Sequence, residues 1–121
     1  MLKTVADFLA AGYDQKAAEY FAAGPKTLLD AFPLTDYRLL LTYEGGEKRI
    51  YNVKPLIQPG TVFEFLTDPE AFLRVYVDET HSVCWDKNPA LDSNVFWTNR
   101  VDLDLDTCYI DSKPATNQQP A

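Results

Sequence analysis

Residues 37–53 read Tyr37-Arg38-Leu39-Leu40-Leu41-Thr42-Tyr43-Glu44-Gly45-Gly46-Glu47-Lys48-Arg49-Ile50-Tyr51-Asn52-Val53. Two runs rich in aromatic and branched residues flank a Gly-Gly pair, which supplies the positive φ that a two-residue primed turn demands. The stretch is therefore expected to form a β-hairpin. With the two glycines as the loop, Glu44 faces Glu47, Tyr43 faces Lys48 and Thr42 faces Arg49. Leu41 then pairs with Ile50, and Leu40 with Tyr51. That register sends Leu39, Leu41 and Ile50 to a core face and mixes Leu40 and Tyr51 with Arg38 and Arg49 on the other.

Around this hairpin, 121 residues suffice for one domain with a sizeable core. Apolar content near half argues for a globular chain. The formal charge is −7, and no basic run exceeds Lys48-Arg49, whose side chains point to opposite faces of a strand. A protein that neutralises phosphates shows a basic stripe, so the balance argues against direct nucleic-acid binding. No apolar run approaches the ~20 residues of a membrane span. The opening, Met1-Leu2-Lys3-Thr4-Val5-Ala6-Asp7, is a poor signal peptide because its apolar stretch is short and an acid comes early. The expected location is the cytoplasm, with Cys84 and Cys108 as reduced thiols; a Cys84–Cys108 bridge would need only proximity in space.

Residues 1–32 read as helical. Val5, Phe8 and Leu9 recur at helical spacing, Gly12 breaks the pattern, and Asp14 caps a second helix over 15–23 with Ala17, Tyr20 and Phe21 as its stripe. Gly24-Pro25 ends it. A third short helix is expected over 26–31, stopped by Pro33. Helix, break, helix invites a helix-turn-helix reading, but the second helix offers only Lys16 as a base and carries Glu19, so packing on the sheet or a partner is preferred. Lys54-Pro55-Leu56 reads as one helical turn. Val62, Phe63, Phe65 and Leu66 supply core residues. Asp68-Pro69-Glu70 starts a helix over 69–74 that buries Phe72 and Leu73. Residues 75–78 and 82–85 form a second hairpin around Glu79-Thr80-His81. A loop over 87–94 follows, then a short strand over 95–98, an alternating Val101–Leu105 run, and a last turn capped by Asp104 or Asp106. From Lys113 onward nothing is left to bury, and a disordered tail is expected over 113–121. The order implies an α+β domain over 1–112, with a small antiparallel sheet built from two hairpins and the N-terminal helices packed on it.

Over residues 34–112 the chain resembles a prokaryotic family known as Domain of Unknown Function 2442. The resemblance is carried by Tyr37–Tyr43, by Glu44–Leu56, by Gly60, Val62-Phe63 and Leu66–Glu70 with Phe72, by Val83-Cys84-Trp85, and by Val101-Asp102-Leu103 with Thr107-Cys108-Tyr109. It implies a small α+β fold, no established activity and no catalytic residues. By analogy with members that resemble partners of toxin-antitoxin modules, it implies an antitoxin-like or regulatory role.

The chemistry-bearing residues are few. His81 is the single histidine, and on a strand it faces away from Cys84, so a Cys-His site is not expected. Neither cysteine has a closely spaced second Cys or His, which a zinc site needs. Asp86-Lys87-Asn88 opens like a calcium loop, but Ala90, Leu91 and Trp97 occupy positions that need a ligand, a glycine and a closing glutamate. Asp102, Asp104 and Asp106 would line one face of a strand, either as a hard-cation site or, preferably, as a solvated face. No catalytic, cofactor or metal residues are assigned. Two functional readings remain. One is a non-enzymatic cytoplasmic module that binds a protein partner or forms a homo-oligomer through a sheet edge or an aromatic surface at Tyr76, Phe96 and Trp97. The alternative is a small-molecule pocket between sheet and N-terminal helices, lined by Tyr20, Phe21, Tyr37 and Tyr51.

Overall fold

The computed structural model describes residues 4–24 and 26–115. Two short helices come first, α1 (Val5–Ala10) and α2 (Gln15–Ala23). Thr4 caps α1 with a reciprocal capping box to Asp7, and the Asp14 carboxylate accepts from the Ala17 N–H at the start of α2. Phe8, Tyr13 and Phe21 stack where the two helices meet, with Phe8 and Phe21 5.7 Å apart. Gly24 caps α2, and Pro25 lies outside the described residues.

The expected helix over 26–31 is instead a strand. β1 (Leu28–Pro33) pairs antiparallel with β2 (Arg38–Tyr43), which pairs with β3 (Lys48–Asn52). Leu28 and Ala31 face the core while Leu29 and Phe32 are exposed, an arrangement made possible by a bulge between Leu28 and Asp30. Local helix propensity loses here to pairing with β2. No helix follows α2 within residues 26–31, so residues 14–31 hold one helix and a strand and not a pair of helices.

The central hairpin is present, but its register is shifted by one residue. The Tyr43 N–H donates to the Glu47 carbonyl at 2.8 Å, so the loop is Glu44-Gly45-Gly46 and not the two glycines alone. Thr42 faces Lys48, Leu41 faces Arg49, Leu40 faces Ile50 and Leu39 faces Tyr51. Both glycines take positive φ, 83° and 87°. A one-residue slip exchanges the faces of a strand. Arg49 and Tyr51 thus join Leu39, Leu41 and Tyr43 on the inner side, and Ile50 turns outward beside Leu40.

The strands divide into two sheets. β7 (Lys113–Pro114) adds to β3, giving the order β1-β2-β3-β7. The tail expected from Lys113 therefore begins too early, and residues 116–121 lie outside the described residues. The second sheet is β4 (Tyr76–Val77), β5 (Val83–Asp86) and β6 (Arg100–Asp102). Residues 95–98 form no strand; a 3-10 turn covers Trp97–Asn99. Helices α3 (Pro69–Leu73), capped by Asp68, and α4 (Leu105–Ile110), capped by Asp104, complete an α+β fold.

The core lies between the sheets and these two helices. Leu39, Leu41, Val53, Leu66 and Trp85 are fully buried, each aliphatic side chain among them contributing about 1.5–3 kcal/mol by leaving water. The Trp85 indole N–H donates to the Phe72 carbonyl at 3.0 Å, tying β5 to α3. Leu73 and Val62, expected inside, are exposed. Asp36 and Tyr37 both take positive φ in the β1–β2 turn, and the Tyr37 hydroxyl donates to the Thr67 carbonyl at 2.6 Å.

Two measurements follow from this architecture. A Cβ on Gly45 would meet nothing within 4 Å. Gly45→Ala should therefore cost only the left-handed backbone penalty, about 1 kcal/mol in urea unfolding. Burial, first among the causes, pushes the phenols of Tyr20, Tyr43, Tyr51, Tyr76 and Tyr109 upward, with Tyr51 and Tyr76 reaching about 12. Unfolded phenols ionise near the ordinary value of 10.0, so stability is full below that pH and falls as pH rises toward 12. Phenolate absorbance and far-UV circular dichroism should change together over that interval; free titration of these phenols with the fold intact would contradict it.

Candidate functional site

Asp86 ends β5 opposite Arg100 at the start of β6. The chain between them leaves the sheet and returns as an irregular segment, residues 87–99. Two short polar side chains shape it. The Asn88 side-chain oxygen accepts from the Ala90 N–H, and the Asp92 carboxylate accepts from the Asn94 N–H. The Asp92 carbonyl also receives the N–H groups of Val95 and Phe96.

Asn99, buried, holds the segment closed. Its amide nitrogen donates to the carbonyls of Asn88 and Leu91 and to Ser93 Oγ, while its oxygen accepts from the Asn88 N–H at 2.8 Å. Ser93 donates in turn to Asp86 at 2.6 Å, and the Tyr76 hydroxyl donates to the same carboxylate oxygen at 2.7 Å. Arg100 donates from Nε to the Tyr76 hydroxyl and from Nη2 to Asn94, and it approaches Asp78 at 3.7 Å and Glu79 at 3.8 Å. Burial tends to raise the Asp78 carboxyl, but hydrogen bonds from Thr80, Ser82 and Cys84 hold it below the usual range. A loop with this many internal bonds has a fixed backbone.

That fixed backbone presents Val95, Phe96 and Trp97 to solvent, at 66%, 53% and 78% exposure. Both aromatics are outside, where alternation along a strand would have buried one. Tyr76, expected beside them, belongs to the hydrogen-bond network beneath the loop and stands half-buried.

The four residues expected to line one pocket are dispersed. Tyr20 is buried against α4, donating to Asp106 at 2.9 Å, and lines a cavity of about 270 Å³ between α2, β3 and α4. Phe21 packs with Phe8 and Tyr13. Tyr37 lines a groove of about 470 Å³ with Leu34, Pro69, Phe72 and Leu73. Tyr51 borders a third hollow beside Leu103.

The remaining reactive groups stay apart. His81 is exposed in the β4–β5 turn at φ 64°, its Nδ1 3.1 Å from the Leu28 carbonyl. Cys84 and Cys108 are buried, unpaired thiols; burial pushes both upward, Cys108 to about 12. Asp102, Asp104 and Asp106 do not share a strand face, because Asp104 caps α4 and Asp106 receives Tyr20. Among the described residues no cluster of three or more His, Cys, Asp or Glu could hold a metal ion. No described helix is long and apolar enough to cross a membrane.

Asn99→Ala removes four hydrogen bonds and strands partners inside the loop. It should cost about 2–3 kcal/mol in urea unfolding. An unchanged midpoint would show that the loop is not held through Asn99.

The chain matches no family model, no curated protein and no solved structure.

Proposed function

We propose that this protein is a non-enzymatic interaction module that presents Val95-Phe96-Trp97 to an apolar recess on a protein partner, which includes the case of a second copy of itself. The observation that carries the reading is the pairing of exposure with rigidity. Three consecutive large apolar side chains stand mostly in water on a backbone fixed from beneath by Asn99, Asp86 and Arg100. Large exposed aromatics on a preordered loop lose little conformational entropy on binding, which is how anchor residues reach high affinity from small area. The buried, upshifted thiols, and a His81 ring engaged with the Leu28 carbonyl, support a role without covalent chemistry. A reducing, cytoplasmic setting fits the two free cysteines. The resemblance over residues 34–112 would fit a regulatory or antitoxin-like partner role.

Light scattering on the purified chain separates self-association from a monomer that needs another partner. Trp97→Ala should dissociate the complex or weaken it by about 2 kcal/mol or more, roughly thirtyfold, with unfolding midpoints unchanged. A monomer whose co-purifying proteins bind Trp97→Ala and Phe96→Ala as well as the unsubstituted chain would sink the proposal.

A further inference from the structure

The cavity between α2, β3 and α4 has a charge character at odds with the rest of the chain. The sequence holds 11 basic and 18 acidic residues. Yet Lys16, Lys26 and Arg49 line this one cavity, together with Tyr20, Tyr109 and a single carboxylate, Glu19. Glu47 bonds Arg49 from one side; counting it, cations still outnumber carboxylates three to two.

Arg49 is the fixed element. Its side chain is 12% exposed and its guanidinium lies 4.2 Å from the centre of the Tyr109 ring. Nε donates to Ser112 Oγ at 2.6 Å, Nη2 to the Ser112 carbonyl at 2.8 Å, and Nη1 to Glu47 at 3.2 Å. A guanidinium has five N–H donors. Among the described residues three are used, which leaves one on each terminal nitrogen. The two rings beside it are pinned through their hydroxyls, Tyr109 to Glu47 at 2.6 Å and Tyr20 to Asp106 at 2.9 Å. Lys26 stands 4.0 Å from Glu47, the outer limit of an ion pair, and the Lys16 ammonium has no partner among the described residues.

From this arrangement we infer a binding site for the oxyanion end of a small molecule, a phosphate or a carboxylate, received by the two spare Arg49 donors and closed over by Lys16 and Lys26. A preoriented, largely desolvated guanidinium recognises such groups in bidentate fashion, and flexible lysines add point charge. The volume, about 270 Å³, suits a phosphate or carboxylate group with a compact body and not a polymer. The site does not depend on the Val95–Trp97 surface, which lies on the other sheet's connecting loop.

The test is thermal unfolding and calorimetric titration of the full chain with inorganic phosphate, sodium acetate and sodium chloride at equal ionic strength. Kosmotropic anions raise the midpoint of any folded chain by exclusion from its surface, so the expected result is a rise over chloride in phosphate or acetate that Lys16→Gln and Lys26→Gln diminish, with saturable heat in the calorimeter. Phosphate ahead of acetate assigns a phosphoryl ligand, and the reverse assigns a carboxylate. Lys16→Gln and Lys26→Gln should each weaken that binding about threefold to tenfold while unfolding like the parent in chloride. Arg49→Lys should abolish it, keeping the charge and losing the fork; if that variant fails to fold, the lysine pair still decides. Equal midpoints in all three salts, or lysine variants that bind as the parent does, would overturn the inference.

Discussion

The Tyr43 N–H reaches the Glu47 carbonyl across three residues, and that single hydrogen bond sets which side of β3 meets the core. With a loop of Glu44-Gly45-Gly46, Arg49 and Tyr51 point inward and Ile50 outward. A loop one residue shorter would bury Ile50 and expose Arg49. Arg49 could not then meet Ser112, Glu47 and the Tyr109 ring, and α4 would keep the central sheet only through the Tyr109 contacts with Tyr43 and Glu47. Two glycines with open space around them hold this choice in place.

An ionised guanidinium beside the core would be costly if left unpaired. Here Ser112, Glu47 and Tyr109 surround it, and burial raises Glu47 less than the Tyr109 and Arg49 hydrogen bonds lower it. A belt of phenols runs past the same point, with Tyr20, Tyr43 and Tyr109 in ring contact around α4. The Tyr43 hydroxyl, buried without a hydrogen-bond partner among the described residues, is the exception in an otherwise satisfied interior. In the second sheet the polar network is spent differently, on holding the 87–99 loop in one shape.

Much of this was legible in the residues. Asp14 and Asp68 cap the helices expected of them, and of the two candidates for the last helix Asp104 is the cap while Asp106 receives Tyr20, because a carboxylate before a helix has one dominant use. The hairpins and the α+β class follow from alternation and turn residues. What failed was decided by contacts distant in sequence. Residues 26–31 look helical alone, yet Leu28–Pro33 is a strand because β2 offers it a ladder. Lys113-Pro114 looks like tail and pairs with Arg49 and Ile50. The register slip reflects a difference between two- and three-residue loops that Glu44-Gly45-Gly46-Glu47 does not advertise. Phe96 and Trp97 stand out in the sequence as surface candidates, whereas the support beneath them, Asn99 with Ser93 and Asp86, carries no pattern that sequence alone reveals. The cavity residues Lys16, Lys26 and Arg49 lie on three different segments, and only the fold makes them neighbours.

Helix α4 closes bonds with the earliest parts of the chain. Tyr20 meets Asp106 across 86 positions, Arg49 meets Ser112 across 63, and Glu47 meets Tyr109 across 62. Such closures cost loop entropy before they return any contact energy. During synthesis β1, β2 and β3 emerge before α4 and β7, with the inner side of Leu41, Tyr43 and Tyr51 uncovered and Arg49 without Ser112 and Tyr109. The inner face of these three strands is therefore sealed only by the part of the chain made last, the residues around Cys108.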